Sequence, residues 1–476
     1  MMLVVSSTFI AAHFLLMLLY NPQHWSFYPS MAEIRCIATS NRQLFVAVPS
    51  GVYIFDRTNL RHIRTIASPD GIEGAVRLCA AGPGRNSLLI ATEAHLYEFL
   101  LNTGGLHQLD PPFRDVKSVG VGPDGFYFDT GKELYKKPPV ASIFTRVQSV
   151  PGNIIWFGER DTSKPRDYIF LNPYFIMDDQ LNNRPMTLVR PDPTGKRFYV
   201  AVQDYGLFVY NRAGFAEHHL RYGPAGNEVR KIVGFNNRVW FVSSFQTAAV
   251  DQNGNWTYSA TGPGDLTGGS SFILSKSLLD LDRREHISAI LPLSGSVILG
   301  TGSGLHLLNL QGKLSLIVAT NHRVNGLTWL RDTILVGTDM GLFLWANDTL
   351  TLVSDPFGRT DWGVFDISRN RTGTIFFGTL GGILKLDSTG TWSHLVPPGF
   401  DLSRPVRTVA ASQDFLFLGS ESGLIVYSLK DKNWTTIDKA QGLPSTNITA
   451  LYADDRYLWI AAPGIVSRFD YRAGLR

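Results

Sequence analysis

Short runs of alternating apolar and polar residues recur along this chain about every 40 residues. Each copy contains an apolar strand, a polar turn, a second apolar strand, a turn with glycine and a third strand. The clear copies are residues 186–211, 229–244, 287–309, 324–346, 406–428 and 448–470. Weaker copies begin near Ile34, Val76, Val116 and Val364, and a degenerate one begins near Asn153. The pattern predicts an all-β fold, and the period is in the range of four-stranded propeller blades.

Glycines and aromatic residues occupy fixed places in these copies. Glycine at the second turn provides the positive φ angle that a tight hairpin requires, as at Gly206, Gly304, Gly341, Gly382 and Gly423. An aromatic residue on the second strand can fill the space between neighbouring blades, as at Trp240, Phe377, Phe417 and Trp459.

The last clear copy carries residues that match a described repeat. They are Gly442, Leu443, Pro444, Ile448, Ala450, Asp454, Leu458, Trp459, Ile460 and Asp470. In this set the chain resembles the two-component regulator propeller repeat, although most other copies lack the tryptophan and the Gly-Leu-Pro start. The resemblance extends over residues 24–471 and is weak before residue 186. It implies a β-propeller and an extracytoplasmic sensing module, and its motif is specific for fold rather than function.

The two ends of the repeat region indicate how the fold closes. The last copy ends near Tyr471 without a fourth strand, and residues 24–30 resemble the fourth strand at 432–438. An N-terminal strand that completes the last blade would remove the open edges of a ring. We therefore expect residues 24–476 to form a single large β-propeller of about 10 four-stranded blades. Propellers usually have about four to eight blades. The alternatives are therefore that the chain forms two rings, or that some of the weak copies are not blades.

The first 20 residues contain no Asp, Glu, Lys or Arg. About 20 apolar residues are enough to cross the hydrocarbon core of a bilayer. We therefore expect residues 1–23 to form a hydrophobic helix that anchors the chain in a membrane through residues 1–20. A cleaved signal peptide is the alternative, although the basic n-region is missing and no small-residue cleavage site follows directly.

One insertion interrupts the repeats at residues 262–286. Its first half is rich in glycine and serine, and residues 271–284 have the pattern of a short amphipathic helix. The insertion is either a solvated loop or a projection that binds a partner.

Composition and charge exclude several classes of protein. The chain is 44% hydrophobic, 12% aromatic and 18% charged, which excludes a disordered chain. Its formal net charge of +4 over 476 residues gives no dense basic face for nucleic acid. The only thiols, Cys36 and Cys79, cannot form a four-cysteine metal site and are expected to be core residues rather than a disulfide.

The search for catalytic motifs gives no convincing site. The sequence has no HExxH, P-loop or GxSxG motif. The GTGSG segment at 300–304 joins two strands instead of opening a helix, so it is expected to be a turn. Residues 217–219 are adjacent on a strand and point to opposite faces, and the carboxylates of residues 178–179 and 280–282 fit turns and loops. We therefore predict no catalytic residue, no cofactor and no metal site.

One position of the repeat is basic in several copies. The second residue of the first strand is Arg35, Arg77, Lys117, Arg230 or Arg407. In other copies it is Thr187, Ser288, Asn325, Phe365 or Thr449. Because first strands line the central channel of a propeller, these side chains would lie at one level around the ring. Such a partial basic ring at a channel mouth would attract an anionic ligand or partner segment. The alternative is a set of solvated or ion-paired strand ends.

These features favour binding over catalysis. We expect a non-catalytic propeller at the extracytoplasmic (periplasmic) face of a membrane, acting as a protein-binding or scaffold subunit or accessory protein of a larger membrane complex. Its partners would include membrane proteins, and nucleic acid is not expected among them. The alternatives are a ligand-sensing propeller of a signalling system, a secreted binding protein that has lost its signal peptide, and a propeller enzyme such as a lyase or hydrolase.

Overall fold

A computed structural model describes residues 20–475 except for 82–85, 140–142, 162, 164, 169–170, 172–173, 179–181, 244–245, 260–280, 282–284, 310–312, 355, 359–361 and 421–422. Over these residues the fold is all-β, as predicted, with ten antiparallel sheets. The short helices are Pro22–His24, Ser68–Asp70, Pro165–Asp167, Lys439–Gln441 and Tyr471–Gly474.

Two segments singled out in the sequence fall outside this range. The first is the expected N-terminal helix at residues 1–23, of which residues 1–19 lie outside the described range. The second is the insertion at 262–286, most of which also lies outside that range. Among the residues that the structure describes, no helix is long and apolar enough to cross a membrane.

The chain divides into two compact units. One comprises Met1–Phe27 and Gly226–Arg476, and we call it the six-sheet unit; the other is Tyr28–Ala225, the four-sheet unit. In sequence, the four-sheet unit is therefore an insertion within the six-sheet unit.

Each sheet of the six-sheet unit has four antiparallel strands. The first three are β20 (Val229–Phe235), β21 (Arg238–Ser243), β22 (Thr247–Asp251) and β23 (Trp256–Ser259); β24 (Ala289–Leu293), β25 (Ser296–Gly300), β26 (Gly304–Asn309) and β27 (Leu314–Ala319); and β28 (Val324–Leu330), β29 (Thr333–Thr338), β30 (Gly341–Ala346) and β31 (Thr349–Val353). The next two are β32 (Val364–Arg369), β33 (Ile375–Thr379), β34 (Gly382–Leu386) and β35 (Trp392–Leu395); and β36 (Thr408–Ala411), β37 (Phe415–Ser420), β38 (Gly423–Ser428) and β39 (Trp434–Ile437). The sixth is β40 (Ala450–Ala453), β41 (Tyr457–Ala462), β42 (Ile465–Asp470) and β1 (Trp25–Pro29).

The sixth sheet confirms the expected closure by an N-terminal strand. In this sheet β1 lies beside β42 as the outer fourth strand. Trp25 stacks on Phe469 with ring centroids 4.5 Å apart, and Arg468 donates a 3.1 Å hydrogen bond to the Ser26 hydroxyl.

The six first strands form a closed ring. β20 contacts β24, β24 contacts β28, β28 contacts β32, β32 contacts β36, β36 contacts β40, and β40 returns to β20. This is the architecture of a β-propeller. The expectation of a single large ring is wrong, because the sixth first strand returns to β20 within the same unit.

The four-sheet unit contains two four-stranded and two five-stranded sheets. The first two are β2 (Cys36–Thr39), β3 (Gln43–Val48), β4 (Gly51–Asp56) and β5 (His62–Ala67), and β6 (Val76–Ala80), β7 (Ser87–Thr92), β8 (Leu96–Leu100) and β9 (Leu106–Leu109). The third, in spatial order, is β13 (Thr145–Val147), β12 (Leu134–Lys137), β11 (Gly125–Asp129), β10 (Ser118–Gly122) and β14 (Ile155–Gly158). The fourth is β15 (Phe175–Met177), β16 (Asn183–Pro191), β17 (Arg197–Val202), β18 (Gly206–Asn211) and β19 (Ala216–Leu220).

The degenerate copy near Asn153 does not form a sheet of its own. Its strand β14 pairs with β10 and becomes the edge strand of the third sheet, where Val119 lies opposite Phe157. β14 also contacts β2 and β6, and β2 contacts β16. The innermost strands of the four sheets therefore pack around a common centre.

Apolar second strands fill the space between sheets, as expected from the aromatic positions. Trp459 is buried and lies edge to face with Phe241 of the neighbouring sheet, with centroids 5.3 Å apart. The glycine of the second turn is required at Gly304, where φ is +139° and a Cβ atom would lie 2.0 Å from the Val318 carbonyl oxygen. Cys36 and Cys79 are buried and free, which confirms the expected core role.

Candidate functional site

The five basic residues predicted from the repeat lie in two separate cavities. Arg230 and Arg407 line a central cavity of the six-sheet unit. Arg35, Arg77 and Lys117 line a central cavity of the four-sheet unit. They do not form one basic ring, because the copies that carry them belong to two units.

The cavity of the six-sheet unit has a volume of about 670 Å³ and is formed by the first strands. A β-bulge between Val229 and Lys231 shifts the register of β20. Bulges redirect side chains, and here both Arg230 and Lys231 line the cavity although they are consecutive. The same bulge occurs between Val324 and Gly326 in β28.

An ion pair crosses this cavity. The Lys231 ammonium lies 2.5 Å from the Asp366 carboxylate, with the two side chains 20% and 6% exposed. Lys231 is on β20 and Asp366 is on β32, three positions away in a ring of six, so the pair joins opposite first strands. Asp366 also accepts hydrogen bonds of 2.9 Å from the backbone N–H groups of Ile367 and Val409. Backbone N–H groups of two sheets therefore hold the carboxylate in place, and the Lys231 ammonium neutralises its charge.

Two further guanidinium groups line the cavity without an ion pair among the described residues. Arg323 immediately precedes β28 and Arg407 immediately precedes β36, and both are exposed. Asp339, which also lines the cavity, lies 3.9 Å from a ring nitrogen of His322. The sequence analysis did not identify Arg323, because the repeat pattern points to the second residue of the first strand. In this copy that residue is Asn325.

Three non-basic members of the predicted set, Ser288, Asn325 and Thr449, have a structural role. Ser288 donates to the Val324 carbonyl oxygen at 2.6 Å, Asn325 to the Val364 carbonyl at 3.0 Å, and Thr449 to the Val229 carbonyl at 2.9 Å. Each donor lies in a first strand or directly before it, and each acceptor is the first residue of the next first strand in the ring. These side chains therefore tie neighbouring sheets together.

The cavity of the four-sheet unit is smaller, about 350 Å³. Arg35 forms a 2.7 Å ion pair with Glu33, and Lys117 lies 3.5 Å from Glu159, with all four side chains about half exposed. Such exposed pairs contribute little to stability. Arg77, at a bulge between Val76 and Leu78, forms no ion pair among the described residues.

Arg190 is a further cation of this cavity that sequence reasoning missed. Its guanidinium forms an ion pair with Asp161 and lies over the Phe157 ring, 4.4 Å from the centroid. It also donates a 3.2 Å hydrogen bond to the Trp156 carbonyl oxygen, and its side chain is 12% exposed. Arg190 is thus held in place by its surroundings, whereas the Arg77 side chain is exposed to solvent.

The segments considered as catalytic candidates make structural contacts within the protein. The GTGSG segment is a turn between β25 and β26, where Thr301 donates to the Glu285 carboxylate at 2.9 Å. Ser303 also donates to Glu285, and these two hydroxyl groups lower the pKa of that carboxyl. On β19, Glu217 pairs with Arg197 at 3.2 Å, while His219 stacks on Phe208 at 3.9 Å.

The remaining carboxylates do not form a metal centre where the structure describes them. Asp178 pairs with Arg184 at 2.8 Å, whereas Asp179, Asp280 and Asp282 lie outside the described residues. In the described part of the chain, no three His, Cys, Asp or Glu side chains are placed to hold a metal ion.

A second cavity of the six-sheet unit, about 500 Å³, lies between the sheets of β20 and β40. Burial raises the pKa of Tyr452 in it to about 12, and the nearby carboxylates of Asp454 and Asp455 add to this effect. The Arg468 guanidinium covers the Tyr457 ring at 4.5 Å from its centroid. The aromatic face is therefore occupied by a side chain of the protein itself.

Comparison with known proteins gives similarity at the level of structure. No protein-family model and no curated protein sequence matches the chain. PorZ, described as an essential bacterial surface component of the type-IX secretion system of Porphyromonas gingivalis, has 11% sequence identity and a TM-score of 0.52, covering 94% of this chain and 87% of PorZ.

Two other solved structures are similar at lower scores. The extracellular domain of the two-component system BT4673 from B. thetaiotaomicron has 11% identity and a TM-score of 0.34, covering 92% of this chain and 69% of that domain. An inactive virginiamycin B lyase from Staphylococcus aureus has 10% identity and a TM-score of 0.37, covering 62% of this chain and 97% of the lyase. The similarity to PorZ supports the fold, which this chain shares over nearly its full length.

Proposed function

We propose that this protein is a non-catalytic, extracytoplasmic β-propeller protein held at a membrane. In this proposal it acts as a protein-binding subunit or accessory protein of a larger membrane complex. Residues 1–20 would provide the attachment, and the basic residues Arg35, Arg77, Lys117, Arg230 and Arg407 would contact an anionic ligand or an acidic segment of a partner.

One observation carries the proposal. In each unit, basic residues that lie in or directly before the first strands of different repeats line one central cavity. Arg77 and Arg407 are exposed and form no ion pair among the described residues, so their charge is available to a binding partner. The fold shared with PorZ, a surface component of a secretion system, supports a role at the cell surface.

The size of the larger cavity favours a second candidate function. A volume of about 670 Å³ is within the range of small-molecule sites, which is roughly 300–1,000 Å³. A ligand-sensing propeller of a signalling system would use this cavity for its ligand and would signal through a separate partner protein.

The test is extraction of the tagged full chain from its source organism in mild detergent, followed by identification of the copurifying proteins. A stoichiometric partner, and a mature chain that retains residues 1–20 on N-terminal sequencing, are expected. A chain without partners would contradict the subunit role and favour ligand sensing or secretion. A chain that begins after the apolar segment would contradict the anchor.

Matched variants test whether the basic residues of the four-sheet unit contribute. In R77Q/K117Q, recovery of the partner is expected to fall severalfold. In R212Q, which changes an exposed arginine on the β18–β19 turn of the same unit, recovery should be unchanged. Equal recovery with all three proteins would remove Arg77 and Lys117 from the interface.

A further inference from the structure

The three arginines of the larger cavity are arranged with approximate threefold regularity. The ring order of the first strands is β20, β24, β28, β32, β36 and β40. Arg230 is on β20, Arg323 precedes β28 and Arg407 precedes β36, so the guanidinium groups come from alternate strands. Three cations supplied in this way surround the axis of the ring instead of forming a patch on one side.

We propose that this central cavity binds a compact cluster of about three carboxylate groups, held by Arg230, Arg323 and Arg407. The proposal deepens the function proposed above and rests on it. The planar fork of a guanidinium group matches a carboxylate in a bidentate geometry, which a lysine ammonium does not provide. The carboxylates come either from a small free tricarboxylate or from neighbouring acidic side chains of a peptide segment.

The Lys231–Asp366 ion pair explains why Arg323 and Arg407, rather than Lys231, have charge available for the ligand. The Lys231 ammonium is already neutralised at 2.5 Å by a carboxylate that two backbone N–H groups hold in place. It joins opposite first strands and thereby obstructs the axis of the ring. Its charge is satisfied within the protein, whereas Arg323 and Arg407 have no carboxylate partner among the described residues.

The remaining lining favours carboxylates over a phosphate. The cavity also contains the carboxylates of Glu228 and Asp339, which reduce its positive potential. A volume of about 670 Å³ is much larger than one tetrahedral phosphate needs. Ser288 and Asn447 add polar groups to the wall, which suits a ligand with several separate acid groups.

Isothermal titration calorimetry of the purified full chain in detergent tests the proposal. The probes are citrate, tricarballylate, a tetraglutamate peptide and inorganic phosphate, at about 0.15 M salt so that exposed charges are screened. Binding of a tricarboxylate or of the peptide is expected, and the probe that binds identifies the source. The double variant R323Q/R407Q should weaken that binding at least roughly tenfold, since it removes two charge-assisted contacts.

The matched control is R331Q. Arg331 is an exposed arginine just after the other end of β28, about 25 Å from Arg323 along the strand, and it does not line the cavity. Its binding should equal that of the unaltered chain, and circular dichroism should show that every variant is folded. Failure of all carboxylate probes, equal loss in R331Q, or tighter binding of phosphate would overturn the proposal. These outcomes leave the copurification result unaffected, so the two proposals fail separately.

Discussion

The imidazole of His62 lies in an aromatic cluster of the four-sheet unit. It stacks on Tyr222 with centroids 4.4 Å apart, lies edge to face with Phe55 at 5.7 Å, and shares a 2.9 Å hydrogen bond with the Thr65 hydroxyl. Burial in this cluster lowers the pKa of His62 from 6.5 to about 4, because the charged form loses its solvation.

This shift predicts a pH dependence of stability. Between pH 6.5 and about 4 the unfolded chain binds a proton at His62 that the folded chain does not bind. The stabilisation is therefore complete above pH 6.5 and is lost as the pH falls towards 4. H62F keeps an aromatic ring and removes the titration, so the difference in melting temperature between H62F and the unaltered chain should grow in favour of H62F below pH 6.5. A difference that is constant from pH 7.5 to 4.5 would contradict the assignment.

Removal of one partner of the Lys231–Asp366 pair should destabilise the six-sheet unit. In K231M the Asp366 carboxylate keeps its two backbone donors but loses its countercharge while only 6% exposed. Loss of one partner of a buried pair is costly, and partial exposure of the lysine reduces the effect, so we expect about 1–3 kcal/mol. Urea unfolding measures it, with K313M, at an exposed lysine of the same unit, as a control that should change stability little.

At the residue scale, the sequence identified residues that line the cavity but did not identify the ion pair within it. Arg230 and Arg407 were predicted to line a channel, and they line a cavity. Lys231 was missed because strict alternation turns every second side chain away, and only the bulge at Arg230 brings both residues to the cavity. Asp366 was missed for the same reason, since a bulge lies between Val364 and Asp366. Bulges depend on pairing between strands and have no clear signal in a single sequence.

At the element scale, the closing strand β1 links the beginning and end of the repeat region. Trp25 is buried and stacks on Phe469 of β42, and with Phe27 and Tyr28 it is one of three buried aromatic residues of this strand. W25A should cost about 3–5 kcal/mol, the usual range for truncation of a large buried aromatic side chain. W25F retains a stacked ring and should cost much less. Denaturant unfolding followed by circular dichroism measures both, and equal stability of W25A and the unaltered chain would exclude a closing role.

The closing strand was predictable, whereas the strand exchange around Asn153 was not. A missing fourth strand at the end of the chain and an isolated strand at its beginning leave two open edges that pairing removes. No comparable rule identifies β14, because Ile155–Gly158 is a short apolar segment that could begin a new sheet or extend an old one. Its pairing with β10 is decided by tertiary contacts.

At the scale of the whole molecule, the local repeat does not encode how many sheets close a ring. The strands that begin near Ile34 and Val229 have the same pattern, yet they belong to different units. Closure depends on the angle between neighbouring sheets, summed around the ring, and this angle is a property of tertiary packing rather than of one repeat. The sequence indicated about 10 blades and left one ring or two rings as alternatives, and the contacts between sheets divide the copies into two units.

Each unit contains its own hydrophobic clusters. Val364, Phe377 and Leu384 belong to one cluster of the six-sheet unit, and Phe45 and Phe126 belong to one of the four-sheet unit. Compact units with separate cores commonly unfold as separate cooperative transitions. We therefore expect two transitions in differential scanning calorimetry of the full chain.

The variants above assign these transitions. W25A and K231M should lower the midpoint of one transition only, that of the six-sheet unit. Lowering the pH from 7 to 5 should lower the other midpoint more in the unaltered chain than in H62F, because His62 belongs to the four-sheet unit. If one transition responds to all three substitutions, the two units unfold as a single cooperative structure and the division of the chain has no thermodynamic counterpart.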